Sequence, residues 1–169
     1  SATSSSHFNS SDNKLSFSHL LTWVKVLVCA NDQDALTSWG NIIELSVTTP
    51  NSSVSVSLSD AAVTYTGESS VITALDTSTP LSTATQEMAS VFCAPATTYY
   101  ITVKSANVTE GRSATVQLMN TERTAQIASA SDAVGKVFVL TLYLDPFKNV
   151  NATGTMSSWD DTYTNIYPV

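Results

Sequence analysis

Little of this sequence is charged. Lys, Arg, Asp and Glu make up 12% of the 169 residues, and seven basic side chains stand against fourteen acidic ones, a formal net charge of −7. A chain this short of cations cannot neutralise a run of phosphates, so nucleic acid is excluded as a general partner. An anionic membrane face is disfavoured for the same reason. Long apolar runs are missing too. A spanning helix needs about 20 apolar residues. The most apolar stretch, LSFSHLLTWVKVLV at 15–28, is shorter and is interrupted by Lys25, so no transmembrane span is expected. Glycine is scarce, with five residues, and no glycine-rich phosphate loop, G-x-S-x-G elbow or H-E-x-x-H occurs. Histidine occurs only as His7 and His19, which leaves no visible Cys–His or zinc arrangement. The expectation is a protein that is not an enzyme, with no catalytic residue, metal or cofactor. The two cysteines, Cys29 and Cys93, are too few for a disulfide framework. They are either two buried thiols or one disulfide.

What fills the chain is Ser, Thr and β-branched residues in alternation. Thr suits strands, and Ser suits turns and solvent-facing strand positions. In WVKVLVC, Val24, Val26 and Val28 share one face, with Trp23, Lys25, Leu27 and Cys29 on the other. LSFSH alternates as well, and HLLT breaks the phase, which predicts a bulge or short turn near Leu20–Thr22. His19, in an apolar strand, is expected to be structural. Ile43, Leu45 and Val47 alternate in NIIELSVTTP. SVSVSLSDAAVTYTG predicts a hairpin with Val54, Val56 and Leu58 inward, a turn at Ser59-Asp60, then Ala61, Val63 and Tyr65 inward. Residues 67–90 read as a long connection with a short strand near Val71. VFCAP follows as a short strand, then TTYYITVKS with Tyr99, Ile101 and Val103 on one face, then SATVQLM with Ala114, Val116 and Leu118. GKVFVLTLYLDPF is apolar on both faces, which marks a central strand. Asp145-Pro146 turns the chain, and NVNATGTMSSW returns with Val150, Ala152, Gly154 and Met156 in register. About nine short strands and almost no helix pattern predict an all-β, antiparallel β-sandwich of two sheets. Residues 1–14, rich in Ser and Asn, are expected to be a flexible lead-in, and 15–169 one domain. No signal peptide is visible, so an exported protein would be in mature form.

Three segments together carry a family resemblance: LSFSHLLTWVKVLV, VFCAPATTYYITVKS and GKVFVLTLYLDPFKNVNATGTMSSWDD. In this order and spacing, with the F-x-H opening and the Trp followed by acidic residues, the chain resembles the fimbrillin family. That family comprises subunits of surface pili in anaerobic gut and oral bacteria. The match runs from Leu15 to Asp161 and is similar to the C-terminal of the family's two sandwich domains. The family's preceding domain and the lipidated cysteine of its lipoprotein precursors have no counterpart here, so a fragment or a short relative is expected. The resemblance implies a transthyretin-like, Greek-key sandwich at the bacterial cell surface, in a fimbrium on the outer membrane. It implies partners that are other pilus or surface-protein subunits, or further copies of itself, joined by strand donation. A sandwich lacking a strand exposes a hydrophobic groove and unpaired backbone groups, and a donated strand satisfies both. The candidate donor is 162–169, with Tyr163, Asn165, Tyr167 and Val169 on one face. Pro168 cannot donate to a ladder, and the same segment could instead pair within its own domain. Trp159 is expected to plug the edge of the core, with Asp160 and Asp161 solvated.

Two other readings stand beside this one. Cys29, Trp39 and Cys93 mimic the Cys…Trp…Cys spacing of an immunoglobulin variable domain, although Val91 stands where that domain has tyrosine. A secreted, immunoglobulin-like carbohydrate- or protein-binding module would need Tyr99, Tyr100, Tyr143 and Tyr163 gathered on one exposed platform. An enzyme would need His19 clustered with carboxylates.

Overall fold

The computed structural model describes residues 19–57, 59–60, 62–120 and 124–158. The elements follow in the order β1 (Thr22–Ala30), α1 (Gln33–Trp39), β2 (Ile42–Thr49), β3 (Ser53–Val56), β4 (Val63–Thr66), β5 (Ser70–Leu75), β6 (Gln86–Cys93), β7 (Thr98–Ser105), β8 (Val108–Gln117), a short 3-10 turn (Ala130–Ala133), β9 (Lys136–Leu144) and β10 (Val150–Ser158). Two four-stranded sheets face each other, with strand orders β10-β9-β1-β6 and β5-β2-β7-β8, and β3 and β4 form a separate hairpin. The protein is an all-β sandwich.

The core is built by alternation. Val24, Val26 and Val28 of β1 and Phe138, Leu140, Leu142 and Leu144 of β9 are fully buried on one sheet. They meet Leu45 and Val47 of β2, Tyr99, Ile101 and Val103 of β7, and Ala114 and Val116 of β8. Each such side chain contributes roughly 1.5–3 kcal/mol by leaving water. β9 lies between β1 and β10, as a strand apolar on both faces should. One pair departs from the antiparallel expectation: β1 and β9 run parallel, from Trp23↔Val137 to Ala30↔Leu144.

Three local expectations need correction. In β2 the buried residue is Ile42, fully covered, while Ile43 is only half-buried. The pairing with β7 shifts between Ile42 and Glu44, and one extra residue there reverses the facing of everything before it. The β3–β4 hairpin forms in the expected place, with Val54↔Tyr65 and Val56↔Val63. It belongs to neither main sheet, however, and Val54 and Val56 are exposed. The long connection is shorter than expected, because β6 begins at Gln86.

Helix α1 was not expected. Asp32 caps it, its Oδ1 accepting the Ala35 N–H at 2.8 Å, and Gly40 ends it at φ 71°. A glycine takes that left-handed conformation without strain. The helix delivers Trp39 into the core, where the ring is fully buried and its Nε1 donates to the Asp145 carbonyl at 2.7 Å. The buried Ser105 hydroxyl donates to the Trp39 carbonyl at 2.7 Å.

Candidate functional site

An open sandwich ends in edge strands whose outward N–H and C=O groups have no ladder partner. Among the described residues there are four: β10 and β6 in one sheet, β5 and β8 in the other. Three carry features that discourage further pairing. The β6 ladder shifts register between Val26 and Leu27 of its partner, and the strand holds Glu87. The β8 ladder shifts between Val103 and Ser105 of its partner, and the strand holds Glu110 and Arg112, paired at 2.9 Å. β5 has six residues, and its ladder breaks between Leu45 and Ser46.

β10 differs from all three. Its nine residues, VNATGTMSS, include no charge and no proline. Its register against β9 is unbroken from Val150↔Leu144 to Ser158↔Lys136. The turn before it is pinned. Asp145 Oδ1 accepts the Asn149 N–H at 2.8 Å and Oδ2 accepts the Asn149 side-chain amide at 2.9 Å. Those bonds, the backbone one first, hold the Asp145 carboxyl below its ordinary range.

Beside this edge lies an open groove of about 510 Å³, lined by Thr115, Val116, Gln117 and Met119 on the β8 side and by Ala152, Thr153 and Gly154 on β10. Ala152 and Met156 pack on the core but stay partly exposed. Gly154 sets how closely the two edges approach. A Cβ there would meet Val116 Cγ1 at 2.9 Å and Leu140 Cδ2 at 3.0 Å. The site thus offers regular backbone donors and acceptors above a partly covered apolar floor. It suits addition of an extended segment. A second, smaller cleft of about 190 Å³ sits at the hairpin, lined in part by Leu21, Val54, Ile72 and Phe92.

The residues singled out in the sequence are scattered. His19 precedes β1, exposed, and is not in a strand; its carbonyl lies against Gly135, whose added Cβ would approach it to 3.0 Å. No three His, Cys, Asp or Glu side chains among the described residues group to hold a metal ion. Trp23 is half-buried on the outer face of its sheet, 5.9 Å from the Phe92 ring, with its Nε1 donating to Ser90 Oγ and the Lys25 ammonium 4.4 Å over its ring. Tyr99 is in the core, while Tyr100 and Tyr143 are exposed on different sheets. The tyrosine platform of a binding module is therefore not assembled by these three. Tyr163, Asn165, Tyr167, Val169, Trp159, Asp160 and Asp161 lie outside the described residues, as do Leu15–Ser18.

Cys29 and Cys93 are free thiols, both buried. Cys93 pairs with Thr22, at the other end of β1 from Cys29. The seven-residue offset is roughly 23 Å at about 3.3 Å per residue, where a disulfide tolerates about 7 Å between Cα atoms. The disulfide is not made, and the immunoglobulin spacing is coincidental. Burial pushes the Cys93 thiol up to about 12, so it stays neutral near pH 8, and only the thiolate is nucleophilic. Native protein treated with a maleimide at pH 8 should show no adduct by intact mass. In denaturant both cysteines should react; rapid labelling of the folded chain would contradict the buried placement.

No helix among the described residues is long and apolar enough to cross a membrane. No family model and no curated protein matches the chain. Among solved structures it is similar to a putative cell adhesion protein from Bacteroides uniformis, at 15% identity and a TM-score of 0.55, over 85% of this chain and 52% of that one. It is also similar to a putative cell adhesion protein from Bacteroides ovatus, at 11% identity and a TM-score of 0.49, over 83% of this chain and 45% of that one. This chain spans about half the length of each. At such identity the likeness to the first is one of fold.

Proposed function

We propose that this chain is a fimbrillin-like structural or adhesive protein of a bacterial cell surface, working by cohesion and without catalysis. The observation that carries the reading is the β10 edge, unpaired among the described residues, beside an open groove. A long, regular, uncharged edge is a hazard that soluble sandwiches usually blunt; keeping one suits a protein whose task is to join others. The fold shared with a protein named for cell adhesion agrees with this. In the finer form of the proposal, the chain is a pilus subunit. Its segment 162–169, with Tyr163, Asn165, Tyr167 and Val169 on one face, is donated to a neighbouring subunit, and the assembly stands on the outer membrane.

The test uses the full chain. Concentration-dependent, detergent-resistant oligomers are expected to form. Tyr163→Asp with Tyr167→Asp should abolish every species beyond a dimer while the circular-dichroism melt stays in place. Oligomers indifferent to both substitutions would overturn strand donation. Loss of the fold would show that the segment belongs to its own domain.

A further inference from the structure

We propose that β10 also pairs with β10 of a second copy, antiparallel about a two-fold axis, so that two four-stranded sheets become one continuous sheet. The inference rests on the reading of β10 as a cohesive edge, and it is independent of the donated tail.

Self-pairing demands three things of an edge, and β10 meets each. The first is regularity. Its unbroken ladder with β9 turns the N–H and C=O of every second residue outward without a break, the two-residue repeat that an antiparallel partner matches. The second is the absence of charge. Under two-fold symmetry an edge meets its own charges, and like charges opposed across strands are destabilising. β6 and β8 carry charged residues within the strand, whereas β10 has none. In a chain of net charge −7, an uncharged edge is where two copies approach at least electrostatic cost.

The third is complementary shape. Side chains keep their faces across a ladder only if inward residues oppose inward residues. Met156, Gly154 and Ala152 oppose the inward Phe138, Leu140 and Leu142 of β9, so they share the inner face. An axis through Gly154 brings all nine residues of each copy into register. It places Met156 of one copy opposite Ala152 of the other, large against small, over the partly covered floor of the groove. On the outer face it places Thr153 opposite Thr155 of the second copy, a favourable cross-strand pair. Because the contact is isologous, it closes at two copies. Strand donation is head-to-tail and instead yields a ladder of sizes.

Analytical ultracentrifugation of the Tyr163→Asp, Tyr167→Asp chain, in which strand donation is blocked, tests this. A reversible equilibrium is expected between 18.0 kDa and twice that mass. T153K/T155K sets lysines opposite each other across the axis and should weaken the dimer by at least about tenfold. Thr153 is exposed and Thr155 half-buried on the solvent side, so the melt should be unchanged. The added positive charge lowers the overall repulsion, so it cannot account for dissociation. T153E/T155E should be monomeric alone and should form a heterodimer when mixed with T153K/T155K. A tail variant that stays monomeric, a ladder beyond two copies in that variant, a dimer retained by T153K/T155K on that background, or no heterodimer on mixing would each overturn the proposal. Oligomers lost only in the tail variant would leave strand donation standing and remove this interface.

Discussion

Trp39→Ala is expected to cost about 3–5 kcal/mol of stability, the range for truncating a buried Trp. Among the described residues Trp39 is the largest fully buried side chain. Its loss removes the anchor that α1 drives between the sheets. It also removes the N–H donated to the Asp145 carbonyl at the turn into β10. A domain of this size holds roughly 5–15 kcal/mol in total. The midpoint of thermal unfolding should fall by roughly 6–20 °C, at about 2–4 °C per kcal/mol. Trp39→Phe separates the two contributions. It keeps most of the ring and loses the hydrogen bond, so it should cost about 1–2 kcal/mol. Equal melts for wild type and Trp39→Ala would contradict the central placement of this side chain.

Gly154→Ala is expected to destabilise by about 1–3 kcal/mol, the usual cost of overpacking. The backbone there is not left-handed, so the cost is steric. The new Cβ must displace Val116 Cγ1 or Leu140 Cδ2, both within 3.0 Å of its position. Leu140 is fully buried and cannot swing away, so the strain falls between β10 and β8. Val116→Ala empties that space. The double variant should therefore be more stable than the sum of the two single changes predicts, by at least about 0.5 kcal/mol. Simple additivity in chemical denaturation would show that the two edges do not press together at this point.

Much of the fold is legible in the residues. The Phe138-Leu140-Leu142-Leu144 stripe and the Tyr99-Ile101-Val103 stripe sit where their alternation places them, because period-two apolar spacing has one stable outcome in a sandwich. The hairpin shows where this logic stops. Val54 and Val56 alternate as regularly as the core valines yet stay exposed, since alternation says which residues share a face and not what covers it. The shift between Ile42 and Glu44 is invisible for a related reason: a bulge is decided by the partner strand. Helix α1 is not legible from periodicity, because seven residues hold too few apolar positions to display a 3.6-residue period. Asp32 and Gly40 at its ends were the available signal. The β10 edge is the least legible feature of all. Its residues and its turn can be read locally, but being an edge is a property of strand order, which depends on the pairing of distant segments.

That strand order has a consequence for how the protein comes into being. β1 lies between β6 and β9 in its sheet, and its contacts with β9 span sequence separations such as 113 residues, between Cys29 and Leu142. On the ribosome, at about 5–20 residues per second, β1 waits roughly 6–23 s for that neighbour to be synthesised. Closing so long a loop is slow in its own right. The sheet around β1 therefore stays incomplete until β9 has been made, long enough for a chaperone or a translocation channel to take hold of the nascent chain.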